Sequence, residues 1–481
     1  MFPARAYDES TLARAAAALR RTWRASGLAR WLAGEPVCTA PDTLRGAAAG
    51  RFLARLLPVR VQAPAAWPIA AGSRILPLIV DHSWLLLVLA MGYPVIDYAL
   101  RSSPFSGVIA NFWDEILLAT CMALLAIRLL YRGFQNYRLT QLDIPICIYF
   151  GVFAFLFLVR SPDTTVGIEG LRLYVQYAFW YFATTQLCDR RKQAVLLLIL
   201  FVAFATVVAS YGIWQYIVGV EVPSRWVDEA EIGIHTRAFS VTINPNVLGS
   251  FLTLAIPLCI AFLLTSRRLS LRLLYLGALG TLLLCLLLTF SRGSWLVCLL
   301  SLFTFALLCE PRILAGVGIL VLAAPRVVPE VYSRFVYLLS PAYIASSSRG
   351  GRLAYWQEAL TKVKSHPLVG EGLGRFGGPA AIKANLSIAH VDNYYLKTAA
   401  EGGLIGLGVL IWLLLLAIRT GYQAVARAAT PHSRSICAAI LSGLVAVIFH
   451  NVIENMLDFP MMATLFWSLL GLLVVLPGLP E

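Results

Sequence analysis

A short segment, HVDNYYLKTAAEGGLIG from His390 to Gly406, places ionisable side chains immediately before a long apolar run. His390, Asp392 and Glu401 supply an imidazole and two carboxyl groups, which are among the side chains that most often move protons in enzymes. Lys397 adds a cation between them. The chemistry open to these groups depends on which side of a membrane they face, and therefore on the elements that carry them.

The composition is that of a polytopic membrane protein. Of the 481 residues, 59% are hydrophobic and only 13% are charged, whereas soluble domains carry about 25% charged residues. The net charge of +14 does not indicate a nucleic-acid partner, because Lys and Arg are spread over short segments between apolar runs and no nucleic-acid-binding motif is present. The nine cysteines include no CxxC pair, so neither a disulfide framework nor a zinc site is supported. We also expect no cofactor.

Apolar runs predict an all-α fold that spans the membrane many times. A helix needs about 20 apolar residues to cross the hydrocarbon layer, and with that measure the chain contains about twelve candidate spans. The predicted spans begin near Trp84, Ile116, Ile144, Leu171, Ala194, Val247, Leu274, Ser294, Ile313, Gly403, Ser435 and Met461.

The basic residues predict the orientation and the division of the chain. Residues 1–75 contain eleven Arg against four acidic residues and lack the apolar core of a signal peptide, so we predict either a basic helix on the membrane surface or a cytoplasmic tail. Alternate loops are also basic, which places them and both termini in the cytoplasm. The basic residues of these predicted cytoplasmic loops are, in chain order, Arg128, Arg132 and Arg138; DRRK at 189–192; Arg267, Arg268 and Arg272; Arg312; and Arg419, Arg427 and Arg434. Residues 76–328 then form spans 1–9, residues 329–393 a large extracytoplasmic loop containing an amphipathic helix ended by Pro367, and residues 394–481 spans 10–12.

Several arginines are predicted to face outward. Arg292, in LLLTFSRGSWLVCLL, is the lone charge in a tight turn between two spans, where it either serves a function or snorkels to the interface. Arg349 and Arg352 lie at the start of the predicted external helix, and guanidinium groups suit the bidentate binding of phosphate oxygens. Together they predict an anion site. Other candidates on this side are Arg172, Arg237 and Arg375.

Two further motifs carry alternatives. Asn244 and Asn246, in VTINPNVLGSFL, either cap the following helix or hydrogen-bond a sugar or diphosphate. The formal GxGxxG at Gly372–Gly377 lacks a strand–turn–helix unit, so we reject a dinucleotide site. His450, Asn451 and Glu454 close another span on the outer side, and we expect a structural or supporting role for them.

The order of these residues resembles that of the O-antigen ligase and polymerase superfamily of bacterial membrane glycosyltransferases. That family has a late, large periplasmic loop, an Arg before a Trp-bearing helix, P-x-x-G-x-G, His-Asn or Asp-Asn, and then Y-L…E-x-G-x-x-G. The resemblance extends over roughly residues 170–475 and includes NPNVLG and FSRGSW upstream. In this chain the corresponding residues are Arg352, Trp356, PLVGEGLG at 367–374, Asp392-Asn393, Tyr395-Leu396, Glu401, Gly403 and Gly406.

The resemblance implies a GT-C-type enzyme at the outer face of the bacterial inner membrane. Such an enzyme transfers or polymerises a glycan from an undecaprenyl-diphosphate carrier onto the hydroxyl of a glycan, lipid or other acceptor, with inversion and without a metal. By position, Arg292 and Arg352, with Arg349, would bind the diphosphate and stabilise the leaving group. The residues expected to bind substrate or support the site are Arg172, Arg237, Asn244, Asn246, Asn393, Tyr395 and Glu401.

One position departs from the ligase pattern. Where ligases carry His before Asn, this chain has Asp392, and His390 lies two residues earlier. Either Asp392 is the base, which is our preference by position, or His390 reaches the site from its neighbouring position. Glu401 is then a structural or supporting carboxylate. Ligation and polymerisation both stay open.

Two functions of other classes are the alternatives. Twelve spans also suit a transporter, and some members of the superfamily have been described as bicarbonate transport proteins. Transporters usually show repeated halves and polar sites at the membrane midplane, whereas this chain shows no repeat and concentrates its charges at one face. A membrane scaffold would require neither buried arginines nor the long loop.

Overall fold

A computed structural model describes residues 75–103, 107–221, 236–327, 341, 347–348, 351–387 and 390–481. The predicted basic N-terminal segment, apart from Ile75, and the predicted diphosphate ligand Arg349 lie outside the described residues.

The described chain is helical, as predicted, and contains no strand beyond one isolated bridge between Glu221 and Thr236. The α-helices are α1 (Ile75–His82), α2 (Leu86–Met91), α3 (Tyr93–Arg101), α4 (Val108–Arg132), α5 (Asp143–Val159), α6 (Thr164–Val175), α7 (Phe179–Leu187), α8 (Arg191–Val218), α9 (Pro245–Thr265), α10 (Leu269–Leu288), α11 (Arg292–Leu308), α12 (Ile313–Val327), α13 (Arg352–Ser365), α14 (Pro379–Lys383), α15 (Tyr394–Arg427), α16 (Pro431–His450) and α17 (Pro460–Val475).

Six helices of the described chain are long and apolar enough to cross a membrane, or seven if the pair bent by 73° at Gly92 forms one span. The six are α8, α9, α10, α15, α16 and the helix that begins at Pro460. Every predicted span start lies within a helical segment, but α5 and α11 are shorter apolar helices and α6–α7 is interrupted at Gln176–Ala178. The multi-pass membrane architecture is therefore supported, while the number twelve stays a prediction.

The centre of the bundle is formed by α9, α16 and α17. In each of these helices 83% of the most apolar window is buried within the protein, against 28% in α10. Small residues allow the close approach that this requires, since a Cβ on Gly443 of α16 would lie 3.1 Å from the Cα of Leu254 on α9. Helix α10 is a peripheral helix, and its apolar outer face is suited to lipid.

Arginines of the predicted cytoplasmic segments gather at one end of the bundle. Asp189, after α7, is the shared ion-pair partner of Arg128, Arg132 and Arg138, and it ties the end of α4 to the chain before α5. A cavity of about 740 Å³ at the same end is lined by Arg132, Arg138 and Arg427, the last residue of α15. Asp392 precedes the other end of α15, so the predicted catalytic residues lie away from this basic end.

Candidate active site

Arg352 contacts two carboxylates at the start of α13, the helix that the sequence predicts to be external. Its Nε donates to Oδ2 of Asp392 at 3.1 Å, and its Nη2 donates to Oε1 of Glu454. About a third of the Arg352 and Asp392 side chains is exposed (32% and 33%), whereas that of Glu454 is 6% exposed. The Arg352 side chain is therefore partly accessible to solvent, whereas its partner Glu454 is buried.

A small apolar core fixes α13 against the segment that carries Asp392. Ala359 and Phe376 pack with Val391 and Ala400, and the indole of Trp356 donates to the carbonyl of Val391 at 3.1 Å. The predicted amphipathic helix thus ends at Ser365, before Pro367, and buries one face locally. Asp392 itself has a φ of +51°, a left-handed conformation that Asp tolerates better than most residues and that sets the direction of its side chain.

The membrane helices supply the inner wall of the same site. The amide of Asn246 donates to Oε1 of Glu454 at 2.6 Å, and Arg237 donates to the Asn246 side-chain oxygen at 3.3 Å. Arg237 is also fixed by the carbonyl of Thr289 at 2.9 Å. Asn244 caps α9 by accepting from the Asn246 backbone at 2.8 Å. Asn244 therefore caps the helix and Asn246 reaches the charged cluster, while a hydrogen bond from either to a sugar or diphosphate stays a prediction.

Arg292 is the first residue of α11 and lies beside the turn that carries Glu454. The next residue, Gly293, packs against that turn, since a Cβ there would lie 2.6 Å from Ile453 and 3.1 Å from Nε2 of His450. Ser294 continues the contact by donating to the carbonyl of Asn246 at 3.3 Å. The start of α11 therefore packs against the turn that carries Glu454, and Arg292 precedes this contact by one residue.

A second ionic cluster lies on α15 and is sealed from solvent. Lys397 contacts Asp458 at 2.7 Å and Glu401 at 3.7 Å, and the exposed fractions of these side chains are 1%, 2% and 0%. The carboxylate of Glu401 also accepts from the Phe376 backbone at 3.0 Å and from the Tyr174 hydroxyl at 2.8 Å. Glu401 is thus fully buried among protein partners, and its supporting role stays a prediction.

The PLVGEG segment is bonded to α15 where that helix breaks at Gly403. Gly403 has a φ of +64°, and a Cβ there would lie 2.2 Å from the backbone of Leu368. The backbone of Leu404 donates to Pro367 at 2.8 Å, and that of Glu371 donates to Ala400 at 2.8 Å. The glycines of this segment therefore serve close backbone packing, which agrees with the rejection of a dinucleotide site.

The remaining predicted residues lie in other surroundings. Asn393 caps α15 by accepting from the Leu396 backbone at 2.9 Å, and the Tyr395 hydroxyl donates to the carbonyl of Ile448 at 2.7 Å. His390 is half-buried, with its ring centroid 6.2 Å from that of Phe459 and with Nδ1 buried and without a hydrogen bond. Arg172 forms its ion pair with Glu115 on α4, at 2.7 Å, rather than with the Arg352 cluster.

The sequence did not predict that Glu454 contacts Arg352 directly. It lies between α16 and α17, after an apolar run that gives no indication of a partner on α13. Burial and, after it, the negative charge of Asp392 raise the pKa of Glu454 to about 8, against the opposing effects of Arg352 and Arg237. In the described part of the chain, no three His, Cys, Asp or Glu side chains are grouped so as to hold a metal ion.

The similarity to a known family covers only part of the chain and part of this site. No curated protein shows significant similarity to the chain. A family model described as O-antigen ligase matches residues 277–413, a segment that begins within α10, includes Arg292, Arg352 and Asp392, and ends within α15. The match confirms the resemblance to the O-antigen ligase and polymerase superfamily over this segment of the chain.

Proposed function

We propose that the protein is a membrane glycosyltransferase that transfers or polymerises a glycan from an undecaprenyl-diphosphate carrier onto an acceptor hydroxyl. The family match supports a membrane glycan ligase or polymerase. The observation that carries the finer proposal is the Arg352 cluster, in which an accessible guanidinium, two carboxylates and Arg237 meet through direct contacts or through Asn246. Such a cluster can exchange a carboxylate partner for a phosphate.

The arginines would bind the diphosphate of the donor. Arg352 presents a fork of donors suited to two phosphate oxygens, and Arg292 approaches from the start of α11. Arg237, fixed by the carbonyl of Thr289, adds positive charge behind Asn246. Charge that develops on the departing diphosphate is stabilised by groups already in position, which lowers the barrier without reorganisation of solvent.

Asp392 would take the proton of the acceptor hydroxyl. The acceptor oxygen attacks the anomeric carbon from the side opposite the diphosphate, the bond from that carbon to the phosphate oxygen breaks, and its electron pair leaves with the diphosphate. The configuration is inverted, and no metal takes part. When the diphosphate occupies Arg352, Asp392 loses part of its ion pair, which makes the carboxylate more basic at the moment when a base is required. His390, two residues earlier, is the alternative base.

The proposal includes a GT-C-type arrangement of about twelve spans in the bacterial inner membrane, with both termini cytoplasmic. Its support is the separation of charges along the bundle. Arginines of one predicted cytoplasmic segment meet Asp189 of the next at one end, and the Arg352 cluster lies at the other. The positive-inside rule then directs the Arg352 cluster outward, where a lipid-linked glycan is available.

The test uses purified protein in nanodiscs with undecaprenyl-diphosphate-linked glycan, an acceptor and EDTA. We expect released undecaprenyl diphosphate and a longer or transferred glycan from the wild type. We expect both to be lost in Arg292→Ala and Arg352→Ala, while Asp392→Asn and His390→Ala identify the base. Full turnover in both arginine variants would contradict the diphosphate-binding mechanism.

A further inference from the structure

Glu454 joins the external helix to the membrane helices at the proposed site. Its Oε1 accepts from Arg352 of α13 and from Asn246 of α9, which lie 102 and 208 residues away along the chain. Its backbone carbonyl accepts from the backbone N–H of Tyr394, the first residue of α15, at 3.3 Å. One residue in a turn thus fixes three elements around the guanidinium.

We propose that Glu454 is a positioning residue that is protonated when the donor diphosphate is bound, and that in this form it directs Arg352 and Asn246 towards the diphosphate. The inference rests on the proposed function, and it adds a residue and a proton that the proposed chemical step does not contain. Glu454 touches Arg352 rather than the reacting carbon in this scheme, so it acts through the arginine.

The geometry allows Glu454 to be protonated without the loss of a contact. Both hydrogen bonds from Arg352 and Asn246 end on the same oxygen, Oε1. A proton on Oε2 therefore leaves both in place, because the carbonyl oxygen of a neutral carboxyl group still accepts hydrogen bonds. The 6% exposure of the side chain also disfavours the charged form.

The charges around Glu454 favour the same form once a diphosphate arrives. With both carboxylates ionised, Arg352, Asp392 and Glu454 sum to −1, and with Glu454 protonated they sum to zero. Among the described residues, Arg237 reaches this turn through Asn246, and Arg292 precedes Gly293, which packs against Ile453 of the turn. His450, fully buried at the end of α16, and Tyr394, which donates its backbone N–H to Glu454, are further titratable neighbours. A diphosphate diester is a dianion, so a neutral Glu454 removes a direct repulsion from it.

The matched variants are Glu454→Gln, Glu454→Ala and a control, Glu371→Gln. Gln keeps an acceptor oxygen for Arg352 and Asn246 and cannot ionise, so it imitates the protonated form. Ala removes the acceptor. Glu371 is another carboxylate of the external segment, paired with Lys362 at 2.8 Å, and has no part in the proposed site.

The experiment measures the affinity of the lipid-diphosphate-linked glycan donor in nanodiscs, without acceptor, from pH 6.5 to 9.5. For the wild type and Glu371→Gln we expect the affinity to fall above about pH 8, approaching tenfold per pH unit, as Glu454 ionises in the free protein. For Glu454→Gln we expect wild-type affinity at pH 6.5 and a change of less than about twofold across the range, since the proton-linked step is gone. Glu454→Ala, which has no acceptor for Arg352 and Asn246, should bind the donor about tenfold or more weakly than Glu454→Gln at every pH.

A second measurement covers the case in which the variants do not fold. Calorimetric titrations of wild-type protein at pH 9, in buffers of different ionisation enthalpy, count the protons taken up with each donor, and we expect close to one. Uptake of no proton, or equal pH slopes for the wild type and Glu454→Gln, would overturn the inference and leave the proposed function standing. Absence of donor binding at every pH would instead refute the proposed function.

Discussion

Two clusters in this protein have the same arrangement, a cation between two carboxylates, but differ in their exposure to solvent. Lys397 lies between Asp458 and Glu401 with all three side chains at most 2% exposed. Arg352 lies between Asp392 and Glu454, and the side chains of Arg352 and Asp392 are about one third exposed. Apart from Arg352 on α13, the residues of both clusters lie in the same two chain segments, one that precedes and begins α15 and one that precedes α17.

The difference in access separates a supporting cluster from a binding cluster. The Lys397 ammonium is also covered by the rings of Tyr174 and Tyr394, whose centroids lie 5.0 and 5.7 Å away, so no ligand can replace its partners. The Arg352 guanidinium retains an exposed side and can exchange a carboxylate for another anion. We therefore expect substitutions in the first cluster to act on folding and those in the second to act on turnover.

The largest expected effect is that of Lys397→Met on stability. The change leaves Asp458 and Glu401 buried without their cation, which costs about 3–5 kcal/mol when one partner of a buried pair is removed. We expect a large fall in the unfolding midpoint, measured by thermal unfolding in detergent. A midpoint equal to that of the wild type would show that the sealed cluster does not support the fold.

The next effect is that of Arg352→Ala on turnover. Loss of one preorganised donor to developing charge reduces kcat by about a hundredfold to a thousandfold. Because Arg352 is partly exposed, we expect the unfolding midpoint to change little. Arg352→Lys should be intermediate, since an ammonium keeps the charge but not the fork of donors. Equal loss of stability in Arg352→Ala and Lys397→Met would remove the distinction between the clusters.

Asp392→Asn and His390→Ala test which residue at the partly exposed Arg352 cluster is the base. If Asp392 accepts the proton, its amide variant should lose about a hundredfold or more in kcat while donor binding persists. His390 packs against Phe459, whereas it is Asp392 that contacts Arg352. We therefore expect a smaller loss of kcat in His390→Ala. Single-turnover kinetics in both variants measures the step directly, and the reverse order of effects would make His390 the base.

The smallest expected effect is that of Glu401→Gln. Both carboxylate oxygens accept hydrogen bonds, from Phe376 and from Tyr174, and an amide keeps only one acceptor. We expect a loss of about 1–3 kcal/mol in stability with activity retained in the folded fraction. Activity lost from protein with an unchanged unfolding midpoint would assign Glu401 to the chemistry and contradict its supporting role.

Much of this protein could be predicted from local sequence. Apolar runs alone indicate helices in a membrane, and every predicted span start lies in a helical segment, because burial of the backbone in lipid requires that its hydrogen bonds be made within the helix. The order of Arg352, PLVGEG, Asp392 and Glu401 predicted the family that matches residues 277–413. The i, i+4 spacing of Lys397 and Glu401 is also a local signal for their ion pair.

Only the tertiary structure decided which ionisable residues share a site. Four ionisable residues lie within a stretch of twelve: His390, Asp392, Lys397 and Glu401. Asp392 nevertheless belongs to the partly exposed Arg352 cluster, whereas Lys397 and Glu401 form part of the buried Lys397 cluster. Glu454 gained its role from partners 102 and 208 residues away, a relation that no local pattern contains. The sequence by itself determined the membrane helices and the types of charged group. Helix packing determined which of these groups solvent reaches, since exposure depends on what the rest of the chain covers. It thereby distinguishes the buried Lys397 cluster, expected to support the fold, from the Arg352 cluster, proposed to bind the donor.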